Sequence, residues 1–395
     1  MQFRNDFSLL LLLATGMILA GLLAGPVMAT GSSGSWQVTT VSGDIRYYPF
    51  ISSACSKYYP FISSAYDWDN VPHIAYHENV TRSIRHTWQS GGTWTTEKVG
   101  PSAGTFSTSI GFGPDGNPAV TYGDGLYIGN LMFARKIGDF WTNSIVARGS
   151  MANAGQYSSL AFDRQGVPHI TYNDGRGLAS LYYASLNTAT GEWEFSLIDD
   201  YTPYIGVAGY SSLLKIDAGG HPHVAYISDD PWGLRYATSS DGVNWTVTKL
   251  EELDHTNYIT RTYTGLSLAL DSRGYPHISY YNQTTSNTTP SRIYYLSWSG
   301  TGWDRETVAV LSKRDFTTAL AIDARDIPHI AYCDVAGKAL IYATRTPSGV
   351  WSEQTVEQGG NLLMMPSLAL DSSGRAGIAY YDLTSYALKF AQETG

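Results

Sequence analysis

The sequence predicts an all-β fold, a seven-bladed β-propeller of four-stranded antiparallel blades, and three observations predict it. A unit of about fifty residues recurs seven times. It is anchored on Pro-His at Pro72-His73, Pro168-His169, Pro222-His223, Pro276-His277 and Pro328-His329, with degenerate copies at Pro118-Ala119 and Ala376-Gly377. Six copies end in a segment that opens with Trp: Trp94–Val99, Trp141–Val146, Trp193–Ile198, Trp245–Leu250, Trp303–Val308 and Trp351–Val356. The seventh stops at Phe390-Ala391 without one, and the missing piece, Trp36–Val41, stands at the other end of the chain. A repeat array that takes its final strand from its N-terminus closes into a ring.

The elements follow in order. Arg4 precedes an uncharged run from Phe7 to Ala24, then Gly25-Pro26-Val27-Met28-Ala29. Small residues at Val27 and Ala29 fit signal-peptidase cleavage after Ala29. Residues 1–29 are therefore expected to be a signal peptide, 30–35 a flexible leader and 36–395 one propeller. The alternative for the apolar run is a retained anchor, since it is just long enough to span a bilayer. Processing would leave a secreted or cell-surface protein with no membrane contact of its own.

Each unit spells four strands. The first is of the type Ser159–Asp163, with counterparts at Ser267–Asp271 and Ser367–Asp371. A tight Asp-x-x-Gly turn follows, in which Asp bonds its own backbone and Gly takes positive φ. Pro opens the second strand, where a lost N–H costs little. In that strand Ile170 and Tyr172 share one face and His169 and Thr171 the other. The third strand is of the type Leu181–Ala184, Leu234–Ala237, Leu340–Ala343 and Leu388–Ala391, and the Trp strand is the fourth and outermost. One irregularity stands apart: Tyr47–Ala54 reads YYPFISSA and Tyr58–Ala65 repeats it letter for letter. The second copy has the spacing of a first strand. The first copy is surplus: a loop tolerated at little cost, an aromatic flap over one face of the ring, or a spare strand offered to a neighbouring molecule.

Composition narrows the partners. Charged residues make up only 15% of the 395 and the net charge is −9. Without a Lys/Arg stripe, nucleic acid is an unsuitable partner. The two cysteines, Cys55 and Cys333, fall in blades 1 and 6 by repeat position, so a bridge between them is not expected. No HExxH, P-loop, CxxC or Ser-His-Asp spacing is present, and no cofactor is implied. The Pro-His histidines come one per blade and do not converge on one ion, so hydrogen bonding within each blade is expected rather than a metal site.

With the repeats laid out, the pattern S-L-A-x-D-x-x-G-x-P-H-I-x-Y-Y-D, then L-x-Y-A, then W-x-x-x-x-V resembles that of secreted prokaryotic propeller repeat proteins loosely grouped with Asp-box, or sialidase-like, propellers. The resemblance runs from Trp36 to Ala391. The Asp-box is followed by Thr-Trp in that group, whereas Pro-His stands there in this chain. A sialidase-type site would need three arginines on a carboxylate. The resemblance points to Arg46, Arg148, Arg261 and Arg314, all in loops that lead into a first strand.

Candidate ligand-binding residues lie at the end of the second strand, around the mouth of the central channel. Tyr recurs there at Tyr76, Tyr122, Tyr172, Tyr226, Tyr280, Tyr332 and Tyr380. Two residues on comes a polar or acidic group: Glu78, Asp124, Asp174, Ser228 with Asp229, Asn282, Asp334 and Asp382. Tyr offers a flat apolar face with a polar tip and carboxylates accept sugar hydroxyls. The competing expectation is that the tyrosines pack with satisfied hydroxyls and the carboxylates cap turns. An enzyme needs an asymmetric site, and the densest titratable loop is Glu251-Glu252-Leu253-Asp254-His255 through Arg261. Glu252, Asp254, His255 and Arg261 are the candidates for acid–base work.

Three functions follow in order. The first is an extracellular, non-enzymatic binding propeller directed at carbohydrate or a cell surface. The second is a glycan-active enzyme, hydrolase or lyase, with its site at the channel mouth. The third is a structural subunit of an extracellular assembly.

Overall fold

The computed structural model of the chain describes residues 27–28, 35–43, 62–78, 80–102, 108–125, 129–149, 154, 156–174, 180–200, 208–229, 232–253, 265–282, 290–312, 317–359 and 363–394. It is an all-β, seven-bladed propeller in which every blade is a four-stranded antiparallel sheet. Blade 1 runs Ile62–Tyr66, Pro72–Glu78, Ser83–Ser90 and Thr93–Pro101. Blade 2 starts at Thr108–Phe112 and ends at Phe140–Ala147. Blade 7 runs Leu363–Leu370, Ala376–Asp382 and Ala387–Thr394, and its outer strand is Ser35–Ser42 from the other end of the chain. The expected closure is present in register: Val38 pairs with Ala391, Thr39 with Phe390 and Ser42 with Leu388. The two-residue strand Val27–Met28 adds to the free edge of this closing strand, opposite Val38 and Gln37.

First strands sit innermost, each packed against the first strands of the blades on either side. A serine four residues before the turn laces them together. Ser63 accepts from Ile110 N, Ser109 from Leu160 N, Ser159 from Leu214 N, Ser267 from Leu320 N and Ser367 from Ser64 N, at 2.9–3.1 Å. A backbone N–H on an innermost strand has no further strand to bond, so the hydroxyl of the previous blade satisfies it. Blades 4 and 6 carry Leu213 and Ala319 at this position and so lack that hydroxyl acceptor.

Outer strands are joined by aromatic contacts. The Trp of each fourth strand stands edge-on against a third-strand ring of the preceding blade. The pairs are Trp94–Phe390, Trp141–His86, Trp193–Phe133, Trp245–Tyr183, Trp303–Tyr236, Trp351–Tyr295 and Trp36–Tyr342. Their centroids lie 5.0–5.5 Å apart and their planes cross at 66–73°. Such geometry favours the ring quadrupoles and adds about 0.5–1.5 kcal/mol per pair beyond burial.

The turn between first and second strands behaves as its residues require. Asp271 Oδ1 accepts from Arg273 N and Tyr275 N, and Gly274 takes φ +81°. Two blades replace that Gly with Asn70 (φ 60°) and Asp326 (φ 62°). The left-handed backbone costs a non-glycine residue energy, and here the side chain returns it. Asn70 Oδ1 accepts from Ser372 N of blade 7, and Asp326 accepts from Ser272 N and Oγ of blade 5, each capping the preceding blade's turn.

Candidate functional site

The Pro-His histidines are structural. In blades 3 to 6 the Nδ1 of His169, His223, His277 and His329 meets the hydroxyl of Tyr183, Tyr236, Tyr295 and Tyr342 at 2.5 Å. Nε2 faces the turn carboxylate of Asp163, Asp217, Asp271 or Asp323 at 3.3–3.7 Å. Burial holds all four imidazoles below the ordinary histidine range, against the pull of the carboxylate. Blades 2 and 7 change the pair together: Ala119 with Phe133, and Gly377 with Phe390. Where the imidazole goes, the hydroxyl goes, and no buried donor is stranded. Among the described residues no three His, Cys, Asp or Glu side chains gather to hold a metal ion.

The second-strand tyrosines are buried between blades. Tyr122 bonds Asn143 Oδ1, Tyr226 bonds Asp199 Oδ2, Tyr332 bonds Glu353 Oε1 (each 2.7 Å), and Tyr380 bonds Glu357 Oε2 at 2.5 Å. Tyr280 is fully buried and its hydroxyl has no partner among the described residues, and Tyr172 packs against Tyr182 and Phe195. The rings of Tyr172, Tyr280, Tyr332 and Tyr380 are thus sandwiched within the wall rather than presented at the channel mouth.

The carboxylates two residues on cap the next turn. Asp124 accepts from Asn130 N and Nδ2, Asp334 from Ala336 N and Gly337 N, and Asp174 from Ser180 N. Asp382 accepts from Thr384 N and Ser385 and pairs with Lys389 Nζ at 2.9 Å. Glu78 is held by Arg85 and Thr81. Asn282 ends its strand half-buried, and the side chain of Asp229 lies outside the described residues. Glu252 is exposed and pairs with Lys249. Arg148 is exposed too, while Asp254, His255, Arg261, Arg46, Arg314, Cys55 and the first YYPFISSA copy lie outside the described residues.

The symmetry breaks instead at blade 1, on the opposite face of the ring. His86 stands where blades 3 to 6 have Tyr, in register with Ala75 and Glu97. A continuous chain of contacts results. Asp67 Oδ2 lies 3.2 Å from His73 Nε2, His73 Nδ1 lies 2.8 Å from His86 Nε2, and His86 Nδ1 lies 2.9 Å from Glu97 Oε1. Lys136 of blade 2 closes it on both Glu97 oxygens at 2.7 and 2.9 Å, and Trp141 Nε1 donates to Glu97 at 2.9 Å. Trp88 stacks on His86 (5.2 Å, 18°), with Lys136 Nζ 4.8 Å from its ring centroid. The chain forms one wall of a cleft of about 440 Å³ between blades 1 and 2, which Asp67, His73, His86, Trp88, Pro118 and Lys136 help to line.

Burial and the neighbouring His86 push His73 down to about 4, although Asp67 pulls the other way. Burial also lowers His86, against Glu97. For Glu97 burial works upward, but hydrogen bonds from His86, Lys136 and Trp141 prevail and bring it down to about 2. Beside the cleft, in the turn of blade 1, Trp68 is 70% exposed, with Nε1 3.4 Å from Gly113 O of blade 2. The corresponding turn residues elsewhere are Pro114, Arg164, Ala218, Ser272, Ala324 and Ser372.

Sequence reasoning placed asymmetry in the loops between blades and missed this cleft. The available signal was substitution within the repeat: His86 for Tyr, and Trp68 in a turn of small or polar residues.

No protein-family model matches the chain, and no curated protein matches its sequence. Solved structures do share the fold. An ulvan lyase bound to -[GlcA(1-4)Rha3S]- superposes with a TM-score of 0.58 at 13% identity, over 83% of this chain and 90% of its own. The polysaccharide lyase Uly1 gives 0.54 at 10% identity, over 84% and 89%. A lectin of Aleuria aurantia in complex with Fucalpha1-6GlcNAc gives 0.48 at 13%, over 75% and 94%. At these identities the likeness is one of architecture alone: the chain shares the propeller fold.

Proposed function

We propose that the chain is a glycan-directed propeller that acts outside the cell as a binding protein and engages sugar at the cleft between blades 1 and 2. The observation that carries this reading is Trp68. A tryptophan 70% exposed in a turn offers a flat apolar face on which a pyranose ring can stack. Asp67, next in sequence, commits Oδ1 to Asp69 N and Val71 N and faces His73 with Oδ2, whose second lone pair remains for a sugar hydroxyl, and the cleft has the size of a small-ligand site. The glycan-handling propellers of like architecture support the reading, as does the N-terminal leader, which we take as an export signal removed after Ala29. Glycan-array binding of the chain, compared with Trp68→Ala, tests it. Binding that falls at least tenfold in the variant is expected, and binding unchanged in the variant refutes it.

The Asp67–His73–His86–Glu97 chain favours a second reading, a glycan-active enzyme at the same cleft. Linked carboxylates and imidazoles are the groups of acid–base chemistry. Turnover of any array-positive polysaccharide that is abolished in Glu97→Gln would select it.

A further inference from the structure

The contacts in blade 1 carry an arithmetic that the other blades do not. In blades 3 to 6 the Asp–His–Tyr series has two contacts, and a neutral imidazole and a phenol bring two protons. In blade 1 there are three contacts, Asp67–His73, His73–His86 and His86–Glu97, at 3.2, 2.8 and 2.9 Å. Ionised carboxylates bring no proton and two neutral imidazoles bring two. One link is therefore a proton short, with two acceptors facing each other in a wall where His86 is only 1% exposed. Low dielectric makes such a facing pair unfavourable.

Resting on the glycan-binding reading above, we propose that the cleft is a proton-coupled site: uptake of one proton by the Asp67–His73–His86–Glu97 chain completes its wall, and the completed site takes an uncharged glycan. The charged groups facing the two imidazoles are Asp67 from the turn, Glu97 from the fourth strand and Lys136 from blade 2. With the extra proton, two carboxylates balance one imidazolium and one ammonium. Without it the site carries one net negative charge. Neither state attracts an acidic polysaccharide, because the Lys136 ammonium is already held by both Glu97 oxygens. Burial sets the direction: both imidazoles lie below the ordinary range near 6.5, His73 at about 4, so the proton enters only well below neutral pH.

The test uses His86→Tyr, which rebuilds the Asp–His–Tyr series of blades 3 to 6 and so preserves the fold. Trp88 and Trp141 both touch His86, and an imidazolium quenches indole emission, so fluorescence reads the proton directly. The expected result is a one-proton transition with its midpoint below pH 6.5, followed down to pH 3.5, in the wild type that is missing from the variant. Binding is then measured at pH 7 and pH 4 with cellohexaose and chitohexaose as neutral probes and polygalacturonate as the acidic one. Affinity for a neutral probe should rise by up to about tenfold per unit fall in pH across the window. Identical fluorescence titrations in wild type and variant overturn the proposal. So does pH-independent affinity, or tighter binding of polygalacturonate; either of these leaves glycan binding itself standing. Absence of binding to all probes at both pH values refutes the glycan reading and the ligand half of this proposal, while the fluorescence difference still decides the proton half.

Discussion

Trp36 stands edge-on to Tyr342, with ring centroids 5.0 Å apart and planes at 72°, across the seam where strand Ser35–Ser42 completes the last blade. The same contact joins every other pair of neighbouring blades, so the seam is built like any other joint. Trp36 is 5% exposed and belongs to a core shared by blades 6 and 7. Trp36→Ala should lose about 3–5 kcal/mol, the usual cost of emptying a large aromatic site. Urea unfolding would read this as a lower midpoint with an unchanged slope. An equal loss is expected for Trp351→Ala, which holds an ordinary joint.

The paired loss of His and Tyr in blades 2 and 7 predicts a coupling. His277→Ala alone leaves the Tyr295 hydroxyl buried without its partner and should cost about 1–3 kcal/mol. Adding Tyr295→Phe, the combination blade 2 has as Ala119 and Phe133, should recover about 1 kcal/mol of that. A double-mutant cycle by chemical denaturation measures the term. Strictly additive losses would show that the pair is not an energetic unit.

Stability should fall in mild acid. The folded-state pKa values of His73, His86, His169, His223, His277 and His329 are all lowered, principally by burial. Unfolded histidines bind protons near pH 6.5, so below that pH the unfolded state holds more protons than the folded one, and stability declines toward pH 4. Melting temperatures at pH 7.5, 5.5 and 4.5 should decrease in that order. A flat profile would mean the imidazoles protonate freely in the folded ring.

The serine lacing gives a graded expectation. Ser159→Ala leaves Leu214 N without its acceptor and should cost about 1 kcal/mol. Ala319→Ser in blade 6, a change of one oxygen, should instead supply an acceptor to Leu368 N. Opposite shifts in the thermal midpoint of the two variants would confirm the account of the inner strands.

What the sequence made readable was whatever each blade must do. Pro-His, the Asp turn and the Trp strand recur because each joint needs them, and Trp36 could be assigned to blade 7 because only that blade lacked its Trp. The meaning of Ser in S-L-A was not readable, since Ser159 bonds a strand 55 residues away. Nor was the fate of the rim carboxylates: Asp124 and Asp334 look like a ligand ring in sequence and are turn caps in space. The cleft escaped for a related reason. Asp67, His73, His86 and Glu97 come from four separate segments of blade 1 and form a chain only when those strands pair, and Lys136 joins it only when blade 2 packs alongside.

A crystal structure with an array-positive oligosaccharide bound tests the functional account most directly. The account predicts a sugar ring lying against the indole of Trp68, with a hydroxyl within hydrogen-bond distance of Asp67. A sugar seated on the other face of the ring, over the turns capped by Asp124, Asp334 and Asp382, would contradict it.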